Sequence, residues 1–320
     1  MPAFYTHYRF GNDVKKNLKL KNIDNNLYTV FNQSFDNFYF FKSLNKRYRN
    51  DIINIARIGH RNNVNNYFIN IIKYMYNNNL TNDPKLRAYL YGSINHYILD
   101  SVIHPYIFYL TGIYKKDNPS SYKYNGLHSN MEFSLDAYLY KKDYSIPYYK
   151  INITNKIFLK PIFSNNLNKC IDEVFNKTFN INNVSNLYKK SILNYRFTYR
   201  YFYTDKFGIK KYILTIIDKI TGNKHVNLKY HTTYYKSINK DYLNIKRNSW
   251  YHPSTNIIKN DSFYDLYSEA LNKSILIINE IDKYFNNLSN IKNIKKLIGN
   301  NSYITGLDIN KNKKMKYFKF

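Results

Sequence analysis

The sequence predicts an all-α fold, one mostly helical domain extended by a further helical half, and three observations lead there. Apolar residues recur at i, i+3 and i+4 in most long segments, the spacing of a helix with one buried face. Connections holding Asn, Gly and Pro separate those segments, and no internal repeat is visible. One stretch, Leu90 to Thr111, is apolar nearly all round, which places it at the centre with neighbours on every side.

The elements follow in order. Asn12 or Asp13 can cap a short helix over Val14 to Leu20, with His7 upstream in Tyr-Thr-His-Tyr-Arg-Phe-Gly. A histidine this near a terminus is usually solvated. Asp36 lies inside the aromatic run Gln33 to Phe41, where its local sequence reads as a turn or cap. Asp51 to Ile58 is short and apolar-periodic and ends at Gly59. His60 stands one turn before Val64 and the face Tyr67, Phe68, Ile71, Ile72, Met75, so it should point inward. Asn77 to Pro84 is a polar connection, and Asp83-Pro84 opens the central helix with proline in its first turn. Pro105 cannot donate to the carbonyl four residues earlier and disfavours helical geometry at His104, so that helix should end or kink there.

After a loop over Thr111 to Gly126, a second helix carries Met131, Leu135 and Leu139 on its apolar side. Farther on, Leu167 to Phe179, Val184 to about Tyr203 and Ile209 to Ile220 keep helical spacing, with a strand as the alternative for the Tyr/Phe alternation at Phe197 to Tyr203. Trp250-Tyr251-His252-Pro253 reads as a loop. Ser262 with Asp265 forms a capping box that opens a long helix through Phe285. The basic end, Asn310 to Phe320, is expected to fray.

Composition narrows the function classes. The 320 residues can bury a large core. No stretch reaches the roughly 18 uninterrupted apolar residues of a membrane-spanning helix. The first residues lack the basic-then-apolar run of a secretory signal, so a cytoplasmic location is expected. Cys170 is the single cysteine, which excludes an internal disulfide and a thiolate metal cage. The formal charge of +28 is uneven: residues 1–141 hold 18 basic against 9 acidic side chains, and residues 142–320 hold 31 against 12. Such a balance fits an anionic membrane surface or nucleic acid. It is the less basic part, however, that carries the chemistry.

In the central stretch His96, Asp100 and His104 stand four apart and share one face of the helix, about 6 Å per step. Buried together, a carboxylate and two imidazoles are costly unless a divalent cation satisfies all three. His128 and Glu132 repeat the spacing on the next helix, and Asp136 extends that row as a residue at the surface or behind the ligands. With His7, Asp36 and His60, five imidazoles and three carboxylates fall within the first 132 residues. That is more than one tetrahedral ion needs, and nitrogen and oxygen donors without thiolate suit catalytic zinc, two or three ions of it. His225, His231 and His252 lack a ligand-type neighbour at helical spacing and read as solvated or structural.

The pattern resembles the zinc-dependent phospholipase C family, which shares its metal framework with single-strand-specific zinc nucleases. Phe-Tyr-Thr-His-Tyr-Arg-Phe-Gly, the Asp36 run, His60 with its helix, and above all His96-x3-Asp100-x3-His104-Pro followed by His128-x3-Glu132 carry the resemblance. It continues more faintly through Asn248-Ser-Trp-Tyr-His-Pro and Ser262-Phe-Tyr-Asp-Leu-Tyr. The resemblance implies one zinc on Asp36, His60, His96 and Asp100, a second on His104, His128 and Glu132, and a third on His7, a bridging Asp100 and the amino-terminal residue. This chain starts Met-Pro where secreted relatives present a tryptophan amine, and it has Ser34-Phe35-Asp36 where many relatives have Gly-Pro-Asp. Residues 1–145 would then be the metal-binding catalytic region, 146–309 a helical extension packed on it and 310–320 a basic tail.

The implied activity is in-line attack of a metal-activated water on a phosphodiester, with Asp36 orienting or deprotonating that water. The substrate would be a phospholipid or another phosphodiester, with peripheral association at an anionic membrane compatible with the charge. Two alternatives stand beside it. One is a zinc nuclease on single-stranded nucleic acid, and the other a non-catalytic membrane-surface binder with structural zinc.

Overall fold

Four helices, α1 (Phe4–Leu18), α2 (Asn25–Phe31), α3 (Lys46–Gly59) and α4 (Val64–Asn77), lead into the 28-residue α5 (Pro84–Thr111), on which the rest is assembled. The computed structural model describes residues 4–42, 44–222, 225–311 and 313–320. Helices α6 (Leu127–Tyr144), α7 (Ile153–Lys156), α8 (Asn165–Phe179) and α9 (Val184–Thr198) follow, then a π-helical turn, Tyr199–Tyr203. Helices α10 (Ile209–Thr221), α11 (Phe263–Phe285) and α12 (Ile291–Ile298) complete the order. The chain is all-α: extended structure among the described residues is a pair of two-residue strands, Trp250–Tyr251 and Ile258–Lys259, and a bridge between Asn301 and Asp308. No helix among them is long and apolar enough to cross a membrane.

Helix α5 is buried along nearly its whole length, from Leu86 to Ile107, as its lack of a polar face requires. Asp83 caps it, accepting from the N–H groups of Lys85 and Leu86. Helix α2 crosses it at Gly92, where a β-carbon would come within 2.9 Å of the Phe31 carbonyl carbon. One apolar cluster takes in residues from both halves of the chain, among them Phe4, Tyr97, Tyr195, Ile278 and Tyr303. Aromatic rings fill much of it: Phe40 stacks on Tyr195 at 3.7 Å and Phe4 on Phe158 at 4.7 Å. Each such ring contributes about 1.5–3 kcal/mol relative to leaving it in water.

Several local expectations need correcting. Helix α5 does not end at Pro105; it runs on to Thr111. The carbonyl that proline leaves unserved, that of Ser101, is approached instead by Gly306, whose α-carbon lies so close that a β-carbon there would sit 2.3 Å from the Ser101 oxygen. A neighbouring loop therefore covers the break in the ladder. Helix α1 starts at Phe4 and not near Val14, because its cap comes from far along the chain. The carboxylate of Asp136 accepts from the N–H groups of Tyr5 and Thr6, both at 2.7 Å. The helical spacing of Val184 to Tyr203 holds, with Tyr199–Tyr203 continuing α9, so the strand alternative falls, whereas Trp250–Tyr251 is strand, pairing antiparallel with Ile258–Lys259. The carboxy-terminal segment is docked: Lys316 and Tyr317 donate to the Pro253 carbonyl and Lys319 to that of Tyr109. The capping box at Ser262 and Asp265 is present with both of its bonds, and α11 ends at Phe285.

Gly306 also has φ +66°, which L side chains rarely adopt. Gly306→Ala should therefore lower stability by about 2 kcal/mol or more, read from the midpoint of denaturant unfolding. An unchanged midpoint would show that Ser101 tolerates retreat of the loop.

Candidate metal centre

Five elements converge on one buried point. Helix α1 brings His7, the 3-10 helix Ser34–Phe40 brings Asp36, and the residue that follows α3 is His60. Helix α5 supplies His96, Asp100 and His104 from successive turns, and α6 supplies His128 and Glu132. All eight are buried except His128, which keeps about a fifth of its side chain exposed. The turn holding Asp36 requires φ 33° at Ser34, a conformation glycine adopts more readily, and this is the position of the glycine in the Gly-Pro-Asp form.

The ligand-type atoms fall into two groups, each within a 4.8 Å sphere of mutual distance. Asp36, His60, His96 and Asp100 make one, and His104, His128 and Glu132 the other. His60 Nε2 lies 3.1 Å from Asp36 Oδ1, and His96 Nε2 lies 3.4 Å from Asp100 Oδ2. In the second group Glu132 Oε1 is 3.0 Å from His128 Nε2 and 3.6 Å from His104 Nε2. Asp100 joins the sets: its Oδ1 is 3.3 Å from His7 Nε2 and its Oδ2 is 3.8 Å from His104 Nδ1. The third partner expected beside His7, the amino-terminal residue, lies outside the described residues.

Backbone carbonyls set the tautomers. His60 Nδ1 donates to the Ala56 carbonyl at 2.6 Å, and His104 Nδ1 to the Tyr303 carbonyl at 2.8 Å. In each ring Nε2 is thereby turned toward the carboxylates, the orientation that metal-ligating imidazoles adopt. His96 is fully buried and neither of its ring nitrogens has a hydrogen-bond partner; His7 Nδ1, Asp36 Oδ2 and Asp100 Oδ2 are likewise without one. Buried polar atoms are almost always satisfied, so this concentration of exceptions fits a cation at the centre.

The charges are interdependent. Burial opposes ionisation of Asp36 and Asp100, yet the neighbouring imidazoles hold both carboxyls below the usual carboxylate range. Glu132 is lowered in the same way, chiefly by His128, against its burial. Burial lowers His96 to about 4, so its ring is neutral, as a metal ligand must be. His104 goes the other way: burial opposes its charge, but Asp100 and Glu132 raise it to about 9. Protons and a divalent cation would compete for that position.

One supporting piece was not read from the sequence. The segment Ile298 to Gly306 wraps the far side of α5: Tyr303 supplies the carbonyl for His104, its N–H donates to the His60 carbonyl, and its ring packs 4.7 Å from that of His60. His252 holds the same segment. Ser254 N–H donates to His252 Nδ1, so Nε2–H donates to the Thr305 carbonyl at 3.0 Å. Nothing in Ser-Tyr-Ile-Thr-Gly marks this role, because it is played by backbone groups. Asp136, read from the sequence as a residue at the surface or behind the ligands, is buried behind the candidate ligands, where it fixes the start of α1 and with it His7. Burial pushes its carboxyl up to about 7, against the pull of the Thr6 and Tyr5 donors. His225 pairs with Asp218 at 3.0 Å, away from the centre.

The hollow beside the two groups, lined by His7, Asp100, His104, Glu132 and Phe263, has a volume of about 30 Å³, room for a water or two. A cavity of about 1320 Å³ lies elsewhere on α5 and α6 and contains none of the eight residues. Tyr106, Tyr109, Tyr138 and Trp250 wall it, with Lys141, Lys142, Lys236, Lys240 and Lys246 around them.

A family model described as zinc dependent phospholipase C matches residues 6–183, more than half of the chain and a span that holds all eight residues. No curated protein and no solved structure matches the chain.

The two His/Asp/Glu groups fit zinc binding. Elemental analysis should therefore find less zinc per chain in His128→Ala than in the unaltered protein, and the same amount in His225→Ala. Equal zinc in both variants would detach α6 from the centre.

Proposed function

The chain belongs to the zinc-dependent phospholipase C family, and from that premise we propose that it is a zinc-dependent phosphodiester hydrolase acting on phospholipid. The observation that carries the reading is the meeting of eight imidazoles and carboxylates, seven of them buried, from five separate elements, with His96 left without a hydrogen bond at either ring nitrogen. Asp36, His60, His96 and Asp100 would hold one ion and His104, His128 and Glu132 a second. His7 with a shared Asp100 is the remaining candidate for a third. Zinc bound there would supply Lewis acidity toward phosphoryl oxygens and a water acidic enough to act as a nucleophile near neutral pH.

The protein's own groups divide the remaining work. Asp36 uses Oδ1 against His60 and keeps Oδ2 without a donor, so it is the carboxylate assigned to orienting or deprotonating the attacking water. The carbonyls of Ala56 and Tyr303 hold His60 and His104 in the tautomer that faces the centre. The walls, Leu99, Ile103, Leu135 and Phe263 among them, exclude bulk water and strengthen every charge interaction inside. His128 is the most exposed of the eight, so a phosphodiester would approach from its side.

A second reading, a nuclease on single-stranded nucleic acid, has one observation in its favour. The large cavity combines aromatic walls with lysines, the combination that binds bases and phosphates. Incubation with phosphatidylcholine vesicles and with single-stranded DNA, each with and without a chelator, separates the two. Release of water-soluble phosphorus from the lipid, abolished by chelator and reduced more than about 100-fold by Asp36→Ala, is the expected result. Cleavage of DNA alone would favour the nuclease, and inactivity on both by zinc-loaded protein would leave a structural role for the metal.

A further inference from the structure

Helix α10 is built inside out. Lys211, Thr215 and Asp218, at i, i+4 and i+7, face the protein. Lys211 Nζ donates to the Tyr234 carbonyl at 2.9 Å, and buried Asp218 accepts from Leu228 N, Lys229 N and His225 Nε2. The apolar residues Ile209, Tyr212, Ile213, Ile216, Ile217 and Ile220 form one stripe on the opposite side, facing solvent, with Tyr212 69% and Ile220 79% exposed. Phe207, 72% exposed, precedes the helix, and Phe202, 56% exposed, lies on the π-helical turn. Lys210 ties that turn to α10, donating to the carbonyls of Tyr201 and Thr204. A helix in water orders its faces the other way, so a stripe this continuous marks a surface that something covers.

The charges around the stripe select the covering partner. Arg200, Lys206 and Lys219 are exposed beside it. Both carboxylates of residues 197–222 are turned inward: Asp205 accepts from Gly208 N and Lys211 N, and Asp218 holds the 225–229 segment. The outer face is thus apolar and purely cationic. A second copy docked on the same patch would bring like charges together, whereas an anionic lipid surface satisfies both features at once.

We propose that α10, with Phe202 and Phe207, is a membrane-docking face that lies at the boundary between headgroups and acyl chains of an anionic bilayer. The fold also gives that face a bearing on the metal centre, a point that rests on the phospholipid reading. The segment held by Asp218 continues to Asn227, whose N–H donates to Asn125 Oδ1 at 2.9 Å, and to Tyr230, which packs against Gly126. Those residues immediately precede α6 and His128, the most open of the eight residues. Docking would set the approach to His128 beside the lipid.

Flotation with vesicles tests the proposal. The native chain should float with vesicles of equal parts phosphatidylcholine and phosphatidylserine and less with phosphatidylcholine alone. The double variant Ile213→Ser, Ile216→Ser should bind the mixed vesicles at least about tenfold more weakly, with native circular dichroism and unchanged hydrolysis of a water-soluble phosphodiester. Lys206→Glu with Lys219→Glu should lose the preference for phosphatidylserine and the sensitivity to salt. Equal binding by the serine variant, no flotation of the native chain, or self-association that the serine variant abolishes would each overturn the proposal; the last would make the face an interface between copies. Vesicle binding without any hydrolysis of the soluble ester would refute the enzymatic reading and leave the docking face standing.

Discussion

Three carboxylates buried in one place are the constraint from which the rest of this structure follows. Removing Asp36, Asp100 and Glu132 from water costs several kcal/mol for each charge unless opposite charge or strong donors replace the solvent. Every one of them is met by imidazole nitrogens at 3.0 to 3.8 Å. Burial in turn opposes charge on His96, whose ring it holds neutral. Neither set is comfortable alone, and together they still leave several polar atoms without a hydrogen bond. A cluster of divalent cations removes the difficulty from both sides, and the fold reads as a device for keeping these groups together.

That device relies on contacts distant in sequence. Helix α5 presents three candidate ligands in line only if it stays helical through His104, next to Pro105, and the loop ending at Gly306 closes over the carbonyl that proline exposes. The same loop orients His104 through the Tyr303 carbonyl and touches His60. His7 is placed by Asp136, which stands in for a local cap at the start of α1. The family match ends at residue 183, so the segment that supports two of the histidines from behind lies beyond it. The carboxy-terminal half is thus part of the centre's construction as well as its cover.

How legible was this in the sequence? Helical periodicity identified most of the helices, and the four-residue spacing of His96, Asp100 and His104 needed only the pitch of a helix to put them on one face. The capping box at Ser262 and Asp265 was legible for the same reason, since partner and cap are three residues apart. What escaped were features whose cause is remote. The early start of α1 depends on Asp136, 131 positions from Tyr5, and continuity at Pro105 depends on Gly306. A pair of two-residue strands is below what alternation can signal. The apolar stripe of α10 was visible as periodicity, but periodicity alone does not say which face looks inward. Here the polar side is the buried one.

The central claim is that the eight residues are ligands to zinc and not simply hydrogen-bonded to one another. Anomalous scattering from crystals at the zinc absorption edge tests it most directly. The account predicts at least two peaks, one at about 2.0–2.1 Å from ring nitrogens of His60 and His96 and another at the same distance from those of His104 and His128. A map without peaks there, with the imidazoles bonded straight to Asp36, Asp100 and Glu132 in zinc-supplemented crystals, would contradict it.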